Sequence, residues 1–266
     1  MLQVLTSYSV SSLLWVTLSV FLLGTSKGGF PAGNAALPLL VLFWPDQAES
    51  ARSSVAFMLP LLCVMDIAGV LFYRKQIILK KLLPLVPGSL LGVLIAGVLF
   101  VSDKGAIISI SDKWMKFAIA LISLLFVLYM AASSRIFKKW RQENPTVPLS
   151  FGMGALAGLT STIAHQAAPV IQMYYLPQKL PKMQFAGTMT GYFFFINLVK
   201  LLPFALLGRF TMGNLMLGVW MLPVIPLGVG AGYLLVRLMK EKHYIYLIYA
   251  VLVLTSALLL KKTFCP

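Results

Sequence analysis

Gly24-Thr25-Ser26-Lys27-Gly28-Gly29-Phe30-Pro31-Ala32-Gly33-Asn34 interrupts an apolar run that otherwise extends from about residue 10 to residue 44. A second interruption, Gly158-Leu159-Thr160-Ser161-Thr162-Ile163-Ala164-His165-Gln166, divides the run from 149 to 176. Each break is followed by a proline inside the resumed run, Pro38 and Pro169. Backbone that is not helical at membrane depth must be buried in protein or line a wet cavity, because lipid offers no hydrogen bonds. The two breaks therefore mark places where protein encloses polar groups.

The rest of the chain is strongly apolar. Its 266 residues have a mean hydropathy of +0.90, are 59% hydrophobic and only 11% charged. Further apolar segments run over 54–73, 82–101, 114–132, 186–207, 214–236 and 244–260. Several exceed the roughly 18 residues expected of a spanning helix. The pattern predicts an all-α polytopic membrane protein with little room for a soluble domain. The first basic residue is Lys27, so the opening segment lacks the basic start of a secretory signal and is expected to be retained.

Twenty-two Lys and Arg against seven Asp and Glu give a formal charge of +15. The basic residues cluster at the ends of apolar segments, which assigns them to orientation in the bilayer. Nucleic acid is not an expected partner. Cys63 and Cys265 provide no disulfide framework, and His165 and His243 are far apart, so no metal site and no cofactor is expected.

Internal similarity points to a duplication. Ala51-Arg52-Ser53-Ser54 lines up with Ala186-Gly187-Thr188-Met189 at an offset of 135 residues, which also carries Tyr73-Arg74 onto Gly208-Arg209. Leu83-Pro84-Leu85-Val86-Pro87 matches Leu222-Pro223-Val224-Ile225-Pro226 at an offset of 139. The chain thus divides into a repeat over 1–133, a basic cytoplasmic connector over 134–148 and a second repeat over 149–266. Each repeat holds four segments and begins with the broken one.

Charge decides between two topologies. If each broken segment crosses once, Lys and Arg divide 11 to 9 between the faces, which gives no orientation. If each is a re-entrant hairpin, one face collects 13 basic residues: Arg74, Lys75, Lys80, Lys81, Arg135, Lys138, Lys139, Arg141, Lys179, Lys182, Arg237, Lys240 and Lys242. The other face holds 7 (Arg52, Lys104, Lys113, Lys116, Arg209, Lys261 and Lys262). The expectation is two inverted four-segment repeats, each opening with a broken or re-entrant helical hairpin, with both termini outside the cytoplasm. Paired Gly/Pro-interrupted segments of this kind point to the substrate site of a secondary transporter.

At each tip a resumed helix would present unpaired N–H groups and a partial positive charge, a ready place for an anion. Gly28 and Gly29 let backbone approach a ligand, while Thr25, Ser26, Asn34, Thr160, Ser161, Thr162 and Gln166 add neutral donors. Lys27 lies at the first tip, where a cation is costly and a substrate contact is the functional reading; a structural ion pair or snorkelling is the bland one. His165 either donates to the anion or couples a proton, unless it is simply a structural donor. Asp66 is a second coupling candidate, and near-equivalent placement in the two repeats lets it pair with Lys200. Ser53 and Thr188 occupy matched positions and join the candidate substrate site, although small hydroxyls in such helices mostly serve packing. Pro60, Pro84, Pro87, Pro203, Pro223 and Pro226 are expected kinks.

The arrangement resembles the sulfite exporter TauE/SafE family of membrane transporters, over essentially the whole chain. The resemblance rests on eight apolar segments in two sets of four, each opening with a small-residue break followed by proline. Gly24 through Pro38 is similar to the family's glycine-rich opening, and Ala186-Gly187-Thr188 to its Ala-x-Thr element. The second break departs from the pattern, with His165 and Gln166 where glycines are common. The resemblance implies carriage of sulfite, thiosulfate or an organosulfonate across the bacterial cytoplasmic membrane. The substrate anion and the lipid bilayer are the expected partners, and a homo-oligomer is compatible with this reading. An anion channel is the alternative. An integral-membrane enzyme using His165 and Asp66 is a further one, for which no motif fixes the spacing.

Overall fold

A computed structural model describes residues 9–27, 33–101, 111–136 and 144–238, with scattered positions between 250 and 264. Every regular element among them is helical. The first broken segment becomes α1, Val10–Lys27, and α2, Gly33–Phe43. The second becomes α7, Val147–Ala164, and α8, Ala168–Tyr175. Between them lie α3, Ser50–Tyr73, a short α4, Leu79–Leu82, then α5, Val86–Ala96, and α6, Asp112–Ile136. After α8 come α9, Lys182–Leu206, α10, Met212–Met221, and α11, Val224–Leu238.

Among the described residues, five stretches are long and apolar enough to cross a membrane: Val10–Lys27, Ser50–Leu71, Leu79–Leu99, Val147–Ala164 and Met183–Leu206. The pair α10 and α11 reads as a sixth, bent by 49°. That bend falls at Pro223 and Pro226, and the matching stretch passes through a 3-10 turn, Leu83–Leu85, between α4 and α5. Pro84 and Pro87 stand in first-turn positions, where a missing N–H leaves no intrahelical bond unmade. Pro60 and Pro203, also expected as kinks, sit inside α3 and α9. The segment expected over 244–260 lies mostly outside the described residues.

Both first arms run into their polar stretches, to Lys27 and to Ala164. Thr25, Ser26, Thr160 and Thr162 turn their hydroxyls onto carbonyls of their own helix, at 2.7, 2.6, 2.9 and 2.8 Å. Bonded in this way, a hydroxyl side chain stays at membrane depth without leaving the helix. Each first arm therefore reaches 18 residues, or about 27 Å. The return arms have only 11 and 8 residues, too few to recross a core about 30 Å thick.

The chain forms two compact units. The first comprises Met1–Leu61, Ile110–Val127 and Gly208–Pro266; the second comprises Leu62–Ser109 and Leu128–Leu207. Each draws on both halves of the sequence. In the first unit, Trp15 near the start of α1 stacks on Phe43 at the end of α2, with ring centroids 4.0 Å apart. The two arms therefore lie side by side, with the ends remote from the break together. Gly24 of α1 meets Ile225 and Gly228 of α11, and Gly232 meets the Thr25 carbonyl. The Asp112 carboxylate accepts the Arg52 and Ala51 N–H groups at the start of α3, at 3.2 and 3.5 Å, and pairs with Lys116 at 3.1 Å.

The second unit repeats this plan with different chemistry. Ser150 near the start of α7 and Tyr174 near the end of α8 share a hydrogen bond of 2.8 Å, so these arms also run side by side. Gly88 and Gly92 of α5 lie against the Phe151 and Ala155 carbonyls of α7, and Gly154 and Gly158 face Leu85 and Ser89 in return. Small residues four apart let two helix backbones come together, the usual means of close packing in lipid. Leu85, Val93, Ala157, Ile171, Tyr175, Tyr192 and Ile196 form the apolar core beside this seam. Ser89 and Tyr192 bridge α5 to α9 at 2.7 Å.

Candidate functional site

The second break is where buried charge gathers. Helix α7 ends because His165 adopts a left-handed backbone, φ 51° and ψ 26°, at a position that glycine normally fills. Histidine tolerates this region better than most side chains, at a cost on the order of 1 kcal/mol. The His165 N–H still reaches the Ser161 carbonyl at 3.0 Å, and the Gln166 N–H reaches Thr160 at 3.4 Å. The turn thus closes the helix end while carrying an imidazole rather than a hydrogen atom.

Lys200 of α9 meets that end. Its side chain is fully buried, and its Nζ lies 3.1 Å from the Ser161 carbonyl, 2.9 Å from Ser161 Oγ and 3.0 Å from His165 Nδ1. An ammonium has three N–H donors, and here three acceptors surround it. In that state the imidazole accepts through Nδ1 and carries its own proton on Nε2. The carboxyl end of α7 also bears a partial negative charge, which favours a cation there.

One turn earlier on α9, Asn197 donates from Nδ2 to the Asp66 carboxylate at 2.6 Å, and Asp66 is fully buried. Asp66 and Cys63 stand within electrostatic range of Lys200. Asn197 orients the acid while Ser161 and His165 hold Lys200, so Asp66 acts on the base through its charge and not through a direct contact. Residue spacing carried part of this signal: Asn197 and Lys200 are three apart and Ser161 and His165 four apart, so each pair shares a helix face. From sequence Asn197 reads as one of several small polar residues that serve packing, and nothing local to Lys200 says that it reaches the break.

The other expected site residues divide by environment. Thr25 is buried and Ser26 half-buried at the end of α1, and Lys27 is the exposed last residue of that helix. Gly28 and Gly29 lie outside the described residues, as does the side chain of Asn34 in the first turn of α2. Thr160, Ser161, Thr162 and Gln166 are all buried beside His165. The hydroxyl protons of Thr25, Ser26, Thr160 and Thr162 are engaged by their own helices, so these groups offer an anion no donor unless they rotate. Ser161 differs: it accepts from Lys200 and keeps its own proton to donate.

Ser53 is half-buried in the first turn of α3. Thr188 is buried, and its Oγ accepts the Ile78 N–H at 3.0 Å. This gives Thr188 a structural task, closing the turn that leads into α4. A Thr188→Val variant removes the acceptor while keeping the shape, leaving that N–H unsatisfied at a cost of about 1–3 kcal/mol. The thermal midpoint of the purified variant should fall accordingly, and an unchanged midpoint would free Thr188 for a ligand.

The family described as "Sulfite exporter TauE/SafE" matches residues 16–260. No curated protein and no solved structure matches the chain.

Proposed function

The chain belongs to the sulfite exporter TauE/SafE family, and on that premise we propose that it carries a small sulfur anion (sulfite, thiosulfate or an organosulfonate) outward across the bacterial cytoplasmic membrane. The family makes it a multi-pass membrane transporter; the substrate and the route are our reading. The observation that carries the reading is the second break, where a membrane helix stops at a left-handed histidine on a fully buried lysine. Interrupted helices with enclosed charge are what a carrier needs to hold a small ion away from lipid.

In this reading the halves 1–133 and 149–266 are inverted repeats joined by the connector 134–148, with the termini outside the cytoplasm. The common plan of the two units supports the duplication. Each pairs a folded-back broken segment with a glycine-bearing helix from the other half of the sequence, Gly228 and Gly232 in one and Gly88 and Gly92 in the other. Short return arms favour re-entrant hairpins over single crossings. The breaks hold the anion, with Lys27, Ser161 and the N–H groups at the starts of α2 and α8 as donors, and the repeats rock to give alternating access. His165 and Asp66 are the groups through which a proton would be coupled.

Outward movement of one negative charge is favoured by about 2.3 kcal/mol at an inside-negative potential of about 100 mV. That corresponds to a roughly 50-fold concentration ratio at equilibrium. Proteoliposomes loaded in turn with labelled sulfite, thiosulfate, sulfoacetate, phosphate and chloride test this directly. The expected result is potential-driven efflux of one sulfur anion that weakens in Lys27→Ala. Efflux of chloride or phosphate alone would remove the sulfur substrate.

A further inference from the structure

The side chain of Lys200 ends on the carboxyl end of α7 and not at a surface. It is fully buried, and its three N–H donors face the Ser161 carbonyl, Ser161 Oγ and His165 Nδ1. Asp66, held by Asn197, supplies the nearby negative charge. Backbone carbonyls at the carboxyl end of an interrupted helix are what carriers use to coordinate a coupling sodium ion or proton, and the Ser161 carbonyl and hydroxyl supply two oxygen ligands at such an end. Here that donor set is already occupied by an ammonium on a four-carbon stem.

We propose that Lys200 is a tethered substitute for a coupling metal cation: its ammonium fills the position a sodium ion would take at the second break. The residue at 200 then decides whether the protein depends on sodium, and the native chain moves its substrate without a metal ion as co-substrate. This rests on the transporter reading above for the word substrate. The cation position does not, because binding there is read from stability with no anion present.

Three observations favour a tethered cation over a merely snorkelling lysine. A snorkelling side chain carries its charge to an aqueous interface, whereas Lys200 has no exposed surface. Its partners are two atoms of one residue and the imidazole at the left-handed turn, so it binds the break itself. Truncation at Cβ would also leave the Ser161 carbonyl and hydroxyl facing the vacated space, two oxygen ligands that a free cation could take up.

The test compares wild type, Lys200→Ala and Lys200→Met in detergent, with choline, sodium, potassium or propylammonium chloride at equal ionic strength. Propylammonium is the piece of lysine that alanine lacks. The wild-type midpoint should be the same in every salt. Lys200→Ala should melt lower in choline and recover saturably in sodium or propylammonium, by about 3–6 °C at ten times the Kd. Lys200→Met fills the space without charge and should respond to none of them.

A folded Lys200→Ala protein indifferent to all four cations would overturn the proposal, as would specific stabilisation of the wild type by sodium. If Lys200→Ala can be recovered only when sodium or propylammonium is present, the proposal stands. If it cannot be recovered in any salt, wild-type anion efflux decides: equal rates in sodium and choline support the tether, and a sodium requirement ends it. A protein that moves no sulfur anion fails the functional reading alone, since the midpoints need no substrate.

Discussion

Gly88→Val will not yield a monodisperse folded protein, while Gly152→Ala on the facing helix will melt at or slightly above the wild-type midpoint. A methyl group at Gly88 would overlap the Phe151 carbonyl oxygen outright and stand 2.8 Å from the Ala155 nitrogen. Both obstacles are backbone, so no rotamer change relieves them. Separating α5 from α7 would also unseat Gly92, Gly154 and Gly158 and open the core at Leu85 and Val93. Overpacking a seam of this kind costs about 3 kcal/mol or more. Gly152 has nothing within 4 Å of the added carbon. Alanine there gains up to about 1 kcal/mol of helix propensity.

The common plan of the two units extends the prediction. Gly228→Val meets the Phe21 carbonyl at 2.5 Å and the Gly24 Cα at 3.1 Å, so it should fail as Gly88→Val does. Size-exclusion profiles of tagged protein in detergent, followed by melting curves, separate the three variants. If Gly88→Val is recovered folded with a midpoint near the wild type, the α5–α7 seam is not closed in the working protein.

Much of this architecture was legible because membrane depth imposes simple rules. Apolar segments declared the helices, and the small polar clusters after Gly24 and Gly158 declared the interruptions. Matched prolines foretold the change of direction at Pro223 and Pro226 and the 3-10 turn at Pro84. The end of the first arm was misjudged for a local reason: Thr25 and Ser26 look like loop residues but satisfy themselves on the preceding turn. The glycines of α5 and α11 are visible in the sequence, yet their partners are not. Gly88 meets a residue 63 positions away and Gly228 one 207 positions away, and no local spacing encodes such pairings. The same holds for Lys200, whose three partners lie 35 and 39 residues upstream.

Asp66→Ala will lose transport and destabilise the protein by about 3–5 kcal/mol, the usual result of leaving a buried charge uncompensated. The carboxylate is fully buried and accepts the Asn197 amide at 2.6 Å, one turn from Lys200. Alanine leaves that amide without this acceptor and the ammonium without its nearby countercharge. Asp66→Asn keeps an acceptor for Asn197 and removes only the charge, so its midpoint should lie between alanine and wild type. The decisive variant is the double one, Asp66→Ala with Lys200→Met. Removing both charges should restore most of the lost stability, because no unpaired ion remains in the interior. Transport should stay absent, since the break then has neither its cation nor the acid that balances it. Recovery of both stability and transport would make the pair structural and take Asp66 out of the coupling role. If Asp66→Ala alone melts within about 1 kcal/mol of wild type, water reaches this carboxylate in the working carrier, and the cluster opens during the transport cycle.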